Sequence, residues 1–202
     1  MTETCEIYIV GPSATGKTTL CKALAEYLKL PEHKFIKEVA RDVMRRTNFS
    51  RKDVGSVVFQ RTILEAQLLR EESARQTPGA VMLSDRCGVD PIVYSELTAS
   101  NKKEAKERKE TLMNTTGFSR AWPAYRNGLV ILLGPVPEWL VDDGVRSLDD
   151  QVACHQKFRE VLQSLGIPYK DLGDEMKDIN DRVKKVLCWM QSISNKGPHH
   201  GI

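Results

Sequence analysis

Residues 11 to 18 read Gly11-Pro12-Ser13-Ala14-Thr15-Gly16-Lys17-Thr18 and satisfy every fixed position of the pattern G-x-x-x-x-G-K-[S/T]. The glycines let the backbone curl with its N–H groups pointing inward, where they cradle an anion. In that arrangement Lys17 reaches the β and γ oxygens of a polyphosphate and the Thr18 hydroxyl ligates Mg²⁺. Gly11, Ser13, Ala14, Thr15, Gly16 and Thr19 would line the same nucleotide. The chemistry implied is binding and cleavage of a nucleoside triphosphate, with ATP and Mg²⁺ as cofactors.

The flanks agree with the motif. Before it, Cys5-Glu6-Ile7-Tyr8-Ile9-Val10 is a short β-branched run suited to a buried strand. After it, Leu20, Ala23, Leu24, Tyr27 and Leu28 recur with helical spacing up to Pro31. Strand, glycine loop and helix therefore follow in the order that the motif requires.

Working outward, strand and helix signals alternate. Phe35 to Val39 reads as a second strand, and Ser50 with Asp53 caps a helix carrying Val54, Val57, Val58, Leu64 and Leu68 on one face. Ala80 to Leu83 is a third strand ending at Ser84-Asp85-Arg86, and Asp90-Pro91 opens the next helix. Residues 99 to 127 break the alternation with a charged stretch, Asn114-Thr115-Thr116-Gly117, and the aromatics Trp122 and Tyr125. This segment reads as a surface excursion. Leu129 to Leu133 is the fourth strand, Ile167 to Leu172 holds a fifth, and a last helix covers about Glu175 to Met190. The expected organisation is one domain over residues 1–193, with a lid-like insertion at about 100–127, and a flexible tail over 194–202.

The fold class expected is α/β, a three-layer phosphate-loop fold with a mainly parallel five-stranded sheet and helices on both faces. Ligands of such sheets bind beyond the carboxyl ends of the strands. There strand 1 delivers the loop, strand 2 Glu38 and Arg41, strand 3 Asp85 and Arg86, and strand 4 the turn Asp142-Asp143-Gly144-Val145-Arg146. A carboxylate at the end of strand 3 commonly holds Mg²⁺ in such folds, usually through water.

Composition excludes other classes. Thirty Lys and Arg against 27 Asp and Glu give a net charge of +3, no electrostatic case for a nucleic-acid partner. No apolar run is long enough to span a membrane, and Met1-Thr2-Glu3-Thr4-Cys5 lacks the layout of a signal peptide, so a cytoplasmic location is expected. The five cysteines never form C-x-x-C, against a zinc site or a disulfide framework, and Cys87 is expected to be a packed thiol.

Glu38-Val39-Ala40-Arg41, Asp85-Arg86 with Asp90-Pro91, and Asp142-Asp143-Gly144-Val145-Arg146, added to the glycine loop, resemble the P-loop family that contains the ribosylnicotinamide kinase domain of bacterial NAD-biosynthesis regulators. The resemblance runs over nearly the whole chain and implies an ATP-dependent kinase that phosphorylates a hydroxyl of a small molecule, nucleoside-like or other.

Carried over residue by residue, the resemblance makes Glu38 the general base, against a surface carboxylate paired with Lys37 or Arg41. Asp85 would organise Mg²⁺, against a structural N-cap. Arg86 would grip a phosphate or the acceptor, against a salt bridge to Asp85 or Glu38. Arg41 and Gln60 would bind the acceptor, though Gln60 and Gln67 also suit polar helix surface. Arg120 or Arg126 would reach the transferring phosphoryl group, and Arg146 would border the nucleotide or pair with Asp142 or Asp143. Trp122 and Tyr125 would stack on the acceptor or pack locally. Lys102 to Glu110 reads as a solvated helix of i,i+4 ion pairs. Two other classes compete with a kinase: a regulatory P-loop NTPase or nucleotide switch without an acceptor, and a nucleic-acid end kinase that would need a basic groove.

Overall fold

The computed structural model describes residues 5–139 and 148–194. Five strands, β1 (Cys5–Val10), β2 (Phe35–Ile36), β3 (Val81–Asp85), β4 (Leu129–Leu133) and β5 (Tyr169–Leu172), form one sheet in the order β2-β3-β1-β4-β5, every pairing parallel. Among the described residues eight α-helices cover it: α1 (Lys17–Tyr27), α2 (Val39–Arg46), α3 (Val57–Gln76), α4 (Val89–Leu97), α5 (Lys102–Met113), α6 (Thr116–Asn127), α7 (Leu148–Ser164) and α8 (Ile179–Ser194). Because parallel strands need crossovers, helices fill both faces and the central strands are buried on both sides. Among the described residues no helix is long and apolar enough to cross a membrane.

The period of two along a strand splits the core. Ile7 and Ile9 of β1, with Leu129, Ile131 and Leu133 of β4, pack on Leu20, Cys21 and Leu24 of α1 and Val183 and Val186 of α8. The intervening Tyr8, Val10, Val130 and Leu132 face α3, α4, α6 and α7 through Leu64, Leu68, Ile92, Phe118, Tyr125 and Phe158. Each such fully buried side chain contributes about 1.5–3 kcal/mol relative to an exposed one.

Strand β2 is shorter than the Phe35–Val39 run expected. The chain leaves the ladder after Ile36, and Glu38 becomes the N-cap of α2, where a carboxylate suits the helix dipole. Val39 and Val43, four apart, then bury one stripe of that helix while Arg41, Arg45 and Arg46 lie on its outer side. In α3 the expected apolar face is rotated: Leu64 and Leu68 are buried, but Val58 is 66% exposed.

The segment expected as a lid over 100–127 is folded as two helices, α5 and α6. Helix α5 is the solvated helix foreseen, capped by Asn101 and laced by Lys103–Glu107, Lys106–Glu110 and Arg108–Glu104 pairs. Helix α6 follows after only Asn114 and Thr115, and sinks Phe118, Ala121 and Tyr125 into the core against α3. Aromatic burial of that size anchors α6 in the layer.

Candidate active site

The glycine loop joins β1 to α1 at the carboxyl edge of the sheet. Gly11 has φ 135°, and a Cβ there would stand 2.5 Å from the Leu133 carbonyl oxygen, so the first loop position tolerates only glycine. Gly16, at φ 83°, is the N-cap of α1, with the Trp139 ring where its Cβ would be. Thr15 donates its hydroxyl to the Pro12 carbonyl at 3.0 Å, and Ser13 Oγ accepts from Gln151 of α7 at 3.4 Å. Thr18 and Thr19 lie exposed on the first turn of α1, which points its free N–H groups at the loop.

Lys17 is buried, its Nζ donating to the Pro12 carbonyl and, at 3.4 Å, to Thr15 Oγ1. Burial, reinforced by the Arg86 charge, lowers its pKa to about 7 against the pull of Asp90, Asp85 and Glu38. Thr18 Oγ1 donates to Asp85 Oδ2 at 2.6 Å, linking the loop to the end of β3. The other oxygen, Asp85 Oδ1, is buried without a hydrogen-bond partner. Such an orphan costs ~1–3 kcal/mol, and a hydroxyl beside a bare carboxylate oxygen is a donor set suited to a hard cation such as Mg²⁺.

Across the cleft, Glu38 is clamped between two arginines: Oε1 accepts from Arg86 Nε at 3.1 Å, and Oε2 pairs with Arg41 Nε at 2.6 Å. Burial alone would raise its pKa, but Arg86 and then Arg41 outweigh it and hold the carboxyl below its usual value. Of the partners anticipated for Arg86, Glu38 is realised; Asp90, at 2.9 Å from Nη1, is one the sequence reading did not foresee. Burial opposes the Arg86 charge, yet Tyr94, Asp90, Glu38 and Asp85 around it raise its pKa well above the usual value. A cleft of about 600 Å³ runs along this edge, lined by Thr18, Lys22, Glu38, Arg41 and Asp85 among others. Lys17, Thr18, Asp85, Glu38 and Arg86 therefore meet at one end of the sheet, with Arg41 at its rim.

Other candidates fall elsewhere. Gln60 and Gln67 are each 2% exposed, not polar surface, because both sit on the inner side of α3. Gln60 donates to the Val54 carbonyl at 2.8 Å and is not among the cleft residues, which removes the basis for an acceptor-binding role. Arg120 and Arg126 face solvent on α6 and do not line the cleft. Arg126 lies over the Trp122 ring at 5.8 Å, and Gly128 two residues on sits beside the Glu6 carbonyl, near the amino end of β1. That is the edge opposite the glycine loop, so the expected phosphoryl contact from Arg126 is corrected. Trp122 donates to the Leu165 carbonyl at 3.0 Å and Tyr125 is fully buried, which is local packing and not acceptor stacking. Cys87 is buried, and burial pushes its thiol pKa well up, as an inert packed thiol requires. Arg146 and its neighbours Asp142 and Asp143 lie outside the described residues.

One residue escaped the sequence reading. Arg182 of α8 is 1% exposed, donates to the carbonyls of Thr15 (3.1 Å), Met176 (2.6 Å) and Gly173 (3.3 Å), and lies 4.6 Å over the Trp139 ring. Burial lowers its pKa. The signal was available: Arg182 falls on the stripe of Ile179, Val183 and Val186, where a surface arginine has no place.

Comparison with known proteins agrees with this architecture. No curated protein sequence matches the chain. Among solved structures it resembles the NadR protein in complex with NAD and AMP-PNP, with TM-score 0.70 and 16% identity over 93% of this chain. The match takes in 50% of that protein, so the chain spans about half its length. Deoxyadenosine kinase from M. mycoides aligns over 93% of this chain and 99% of its own, with TM-score 0.60 and 13% identity. Thymidylate kinase from Ehrlichia chaffeensis covers the same shares, with TM-score 0.56 and 14% identity. At such identities these likenesses establish the fold, a P-loop fold of the nucleoside- and small-molecule-kinase kind. The profile of the AAA domain matches residues 6–182, nearly the whole described chain from β1 to Arg182, and the chain belongs to that family.

Proposed function

We propose that the protein is an ATP-dependent phosphotransferase that moves the γ-phosphoryl group to a hydroxyl of a small, nucleoside-like molecule. The observation that carries this reading is the single cleft lined both by Thr18 and Asp85 and by Glu38 and Arg41. A switch that only hydrolyses nucleotide has no need of a second carboxylate facing the phosphate loop across a cavity of acceptor size.

Thr18 and Asp85 would hold Mg²⁺, which supplies charge neutralisation at the β and γ oxygens. Lys17 would exchange the Pro12 carbonyl for those oxygens, a move that favours its protonated form. Glu38, held ionised, would orient the acceptor hydroxyl and take its proton. In a loose transition state that orientation matters more than the strength of the base. Arg86, fixed between Glu38 and Asp90, would offset charge on the transferring group, and Arg41 would contact the acceptor at the rim.

The deciding experiment incubates the protein with Mg·ATP and a mixture of nucleosides, including nicotinamide riboside, vitamin alcohols, and isoprenoid and amino alcohols, and reads products by mass spectrometry. A product heavier by one phosphoryl group is expected. ADP release that no acceptor stimulates would favour the regulatory NTPase instead.

A further inference from the structure

The turn from β3 into α4 holds Arg86 at φ 81°, a left-handed conformation that a side chain this large adopts only when its surroundings impose it. Those surroundings are polar and buried. Gln67 of α3 donates to Ser84 Oγ at 2.9 Å and reaches the Arg86 carbonyl at 3.4 Å. Tyr125 of α6 accepts the Gly88 N–H at 3.1 Å, and a Cβ on Gly88 would stand 2.6 Å from the tyrosine oxygen. Glu71, one turn along α3, accepts from both, at 2.9 Å from Gln67 and 2.7 Å from Tyr125. On the far side the Arg86 N–H donates to the Ile9 carbonyl at 3.0 Å.

Gln67, Glu71 and Tyr125 are 2%, 0% and 0% exposed, and none lines the cleft. Three buried polar side chains joined to one another, two of them bonded to Ser84, Arg86 and Gly88 along one turn, are a costly way to fill a core. The cost is understandable if the turn they hold has to be where it is. Released from them, the backbone would relax towards negative φ, and the Arg86 side chain would swing away from Glu38.

We propose that Gln67, Glu71 and Tyr125 form a buried clamp that sets the backbone of Arg86 and so aims its guanidinium at Glu38 and the transferring phosphoryl group. They are positioning residues, and the proposal rests on the phosphotransferase reading for its kinetic consequence. Arg75 completes the clamp from behind, within 3.3 Å of Glu71 and 3.0 Å of Glu6.

Gln67→Met and Tyr125→Phe keep side-chain volume and remove the bonds to the turn, and each is tested alone so that either suffices if the other fails to fold. With the acceptor found for the wild type, kcat should fall ~10- to 100-fold while KM for Mg·ATP moves less than about twofold. Val161→Ala, a cavity in α7 away from the turn, serves as a destabilised control and should keep kcat below its melting temperature. Independently of any acceptor, the ¹⁵Nε–H signal of Arg86, sheltered in the wild type by Glu38, should broaden or vanish in both variants. Unchanged kcat with an intact Arg86 signal, or a loss of kcat that Val161→Ala matches, would overturn the clamp. If the wild type phosphorylates nothing, the phosphotransferase reading falls. The Arg86 signal then decides alone, its loss in the variants upholding the clamp and its persistence refuting it.

Discussion

The two faces of the sheet support their halves of the site by different means. Under α1 and α8 the interior is apolar but for Arg182, built of Ile7, Ile9, Leu20, Leu24, Ile131 and Val186, and the groups it carries to the edge, Lys17 and Thr18, take their places from the backbone of the glycine loop, braced by that one arginine. Under α3 and α6 the interior is threaded with Tyr8, Gln67, Glu71, Arg75 and Tyr125, and the groups at the edge, Glu38 and Arg86, are held by side-chain hydrogen bonds and ion pairs. Geometry written into glycine dihedrals does not depend on protonation. Geometry held by buried carboxylates does, and a buried polar group left without its partner is expensive.

The sharpest way to break the contrast is Lys17→Ala. It should leave a folded protein, judged by its melting temperature, that has lost Mg·ATP-dependent turnover, because the positive charge on the β and γ oxygens is gone. Normal turnover by that variant would refute the phosphate-loop assignment.

On the opposite side, Glu38→Gln should lower kcat by ~10²–10⁴-fold with little change in ATP affinity, whereas Asp85→Asn should shift the Mg²⁺ dependence as well. If Glu38→Gln altered the metal response and Asp85→Asn spared it, the two carboxylates would have to exchange roles.

The smallest effect concerns stability. Burial raises the Glu71 carboxyl from its ordinary 4.5 to about 7, overcoming the hydrogen bonds from Gln67 and Tyr125 and the charge of Arg75. A group that binds its proton more tightly in the folded state stabilises the fold at low pH and withdraws that help as pH rises. The wild type should therefore lose on the order of 3 kcal/mol of stability from this group between pH 4.5 and about 7. Glu71→Gln should flatten the slope in denaturant titrations across that window. An identical slope in the variant would mean that Arg75 keeps Glu71 ionised throughout.

The contrast also governs what could be read from the chain. The glycine loop, β1, β3 and β4, and the positions of Lys17, Thr18, Glu38, Asp85 and Arg86 at one edge were legible because strand period and loop chemistry are local. The clamp was not. Gln60 and Gln67 differ from surface glutamines only in what surrounds them, and polarity misled where the network around Gln67 is closed by α6 across 54 positions of chain. The same docking packs α6, half of the segment expected as a lid, against the core. The left-handed turn at Arg86 carries no glycine to announce it, and the shortness of β2 came from the helix that Glu38 starts two residues later.

Arg182 gives the molecule a particular order of assembly. Its guanidinium holds the Thr15 carbonyl across 167 positions of sequence, so the phosphate loop receives its brace only when α8, made later, has docked. A growing chain can therefore display the whole motif and still lack the anchor that fixes one of its carbonyls. Nucleotide affinity should therefore rise together with the docking of α8.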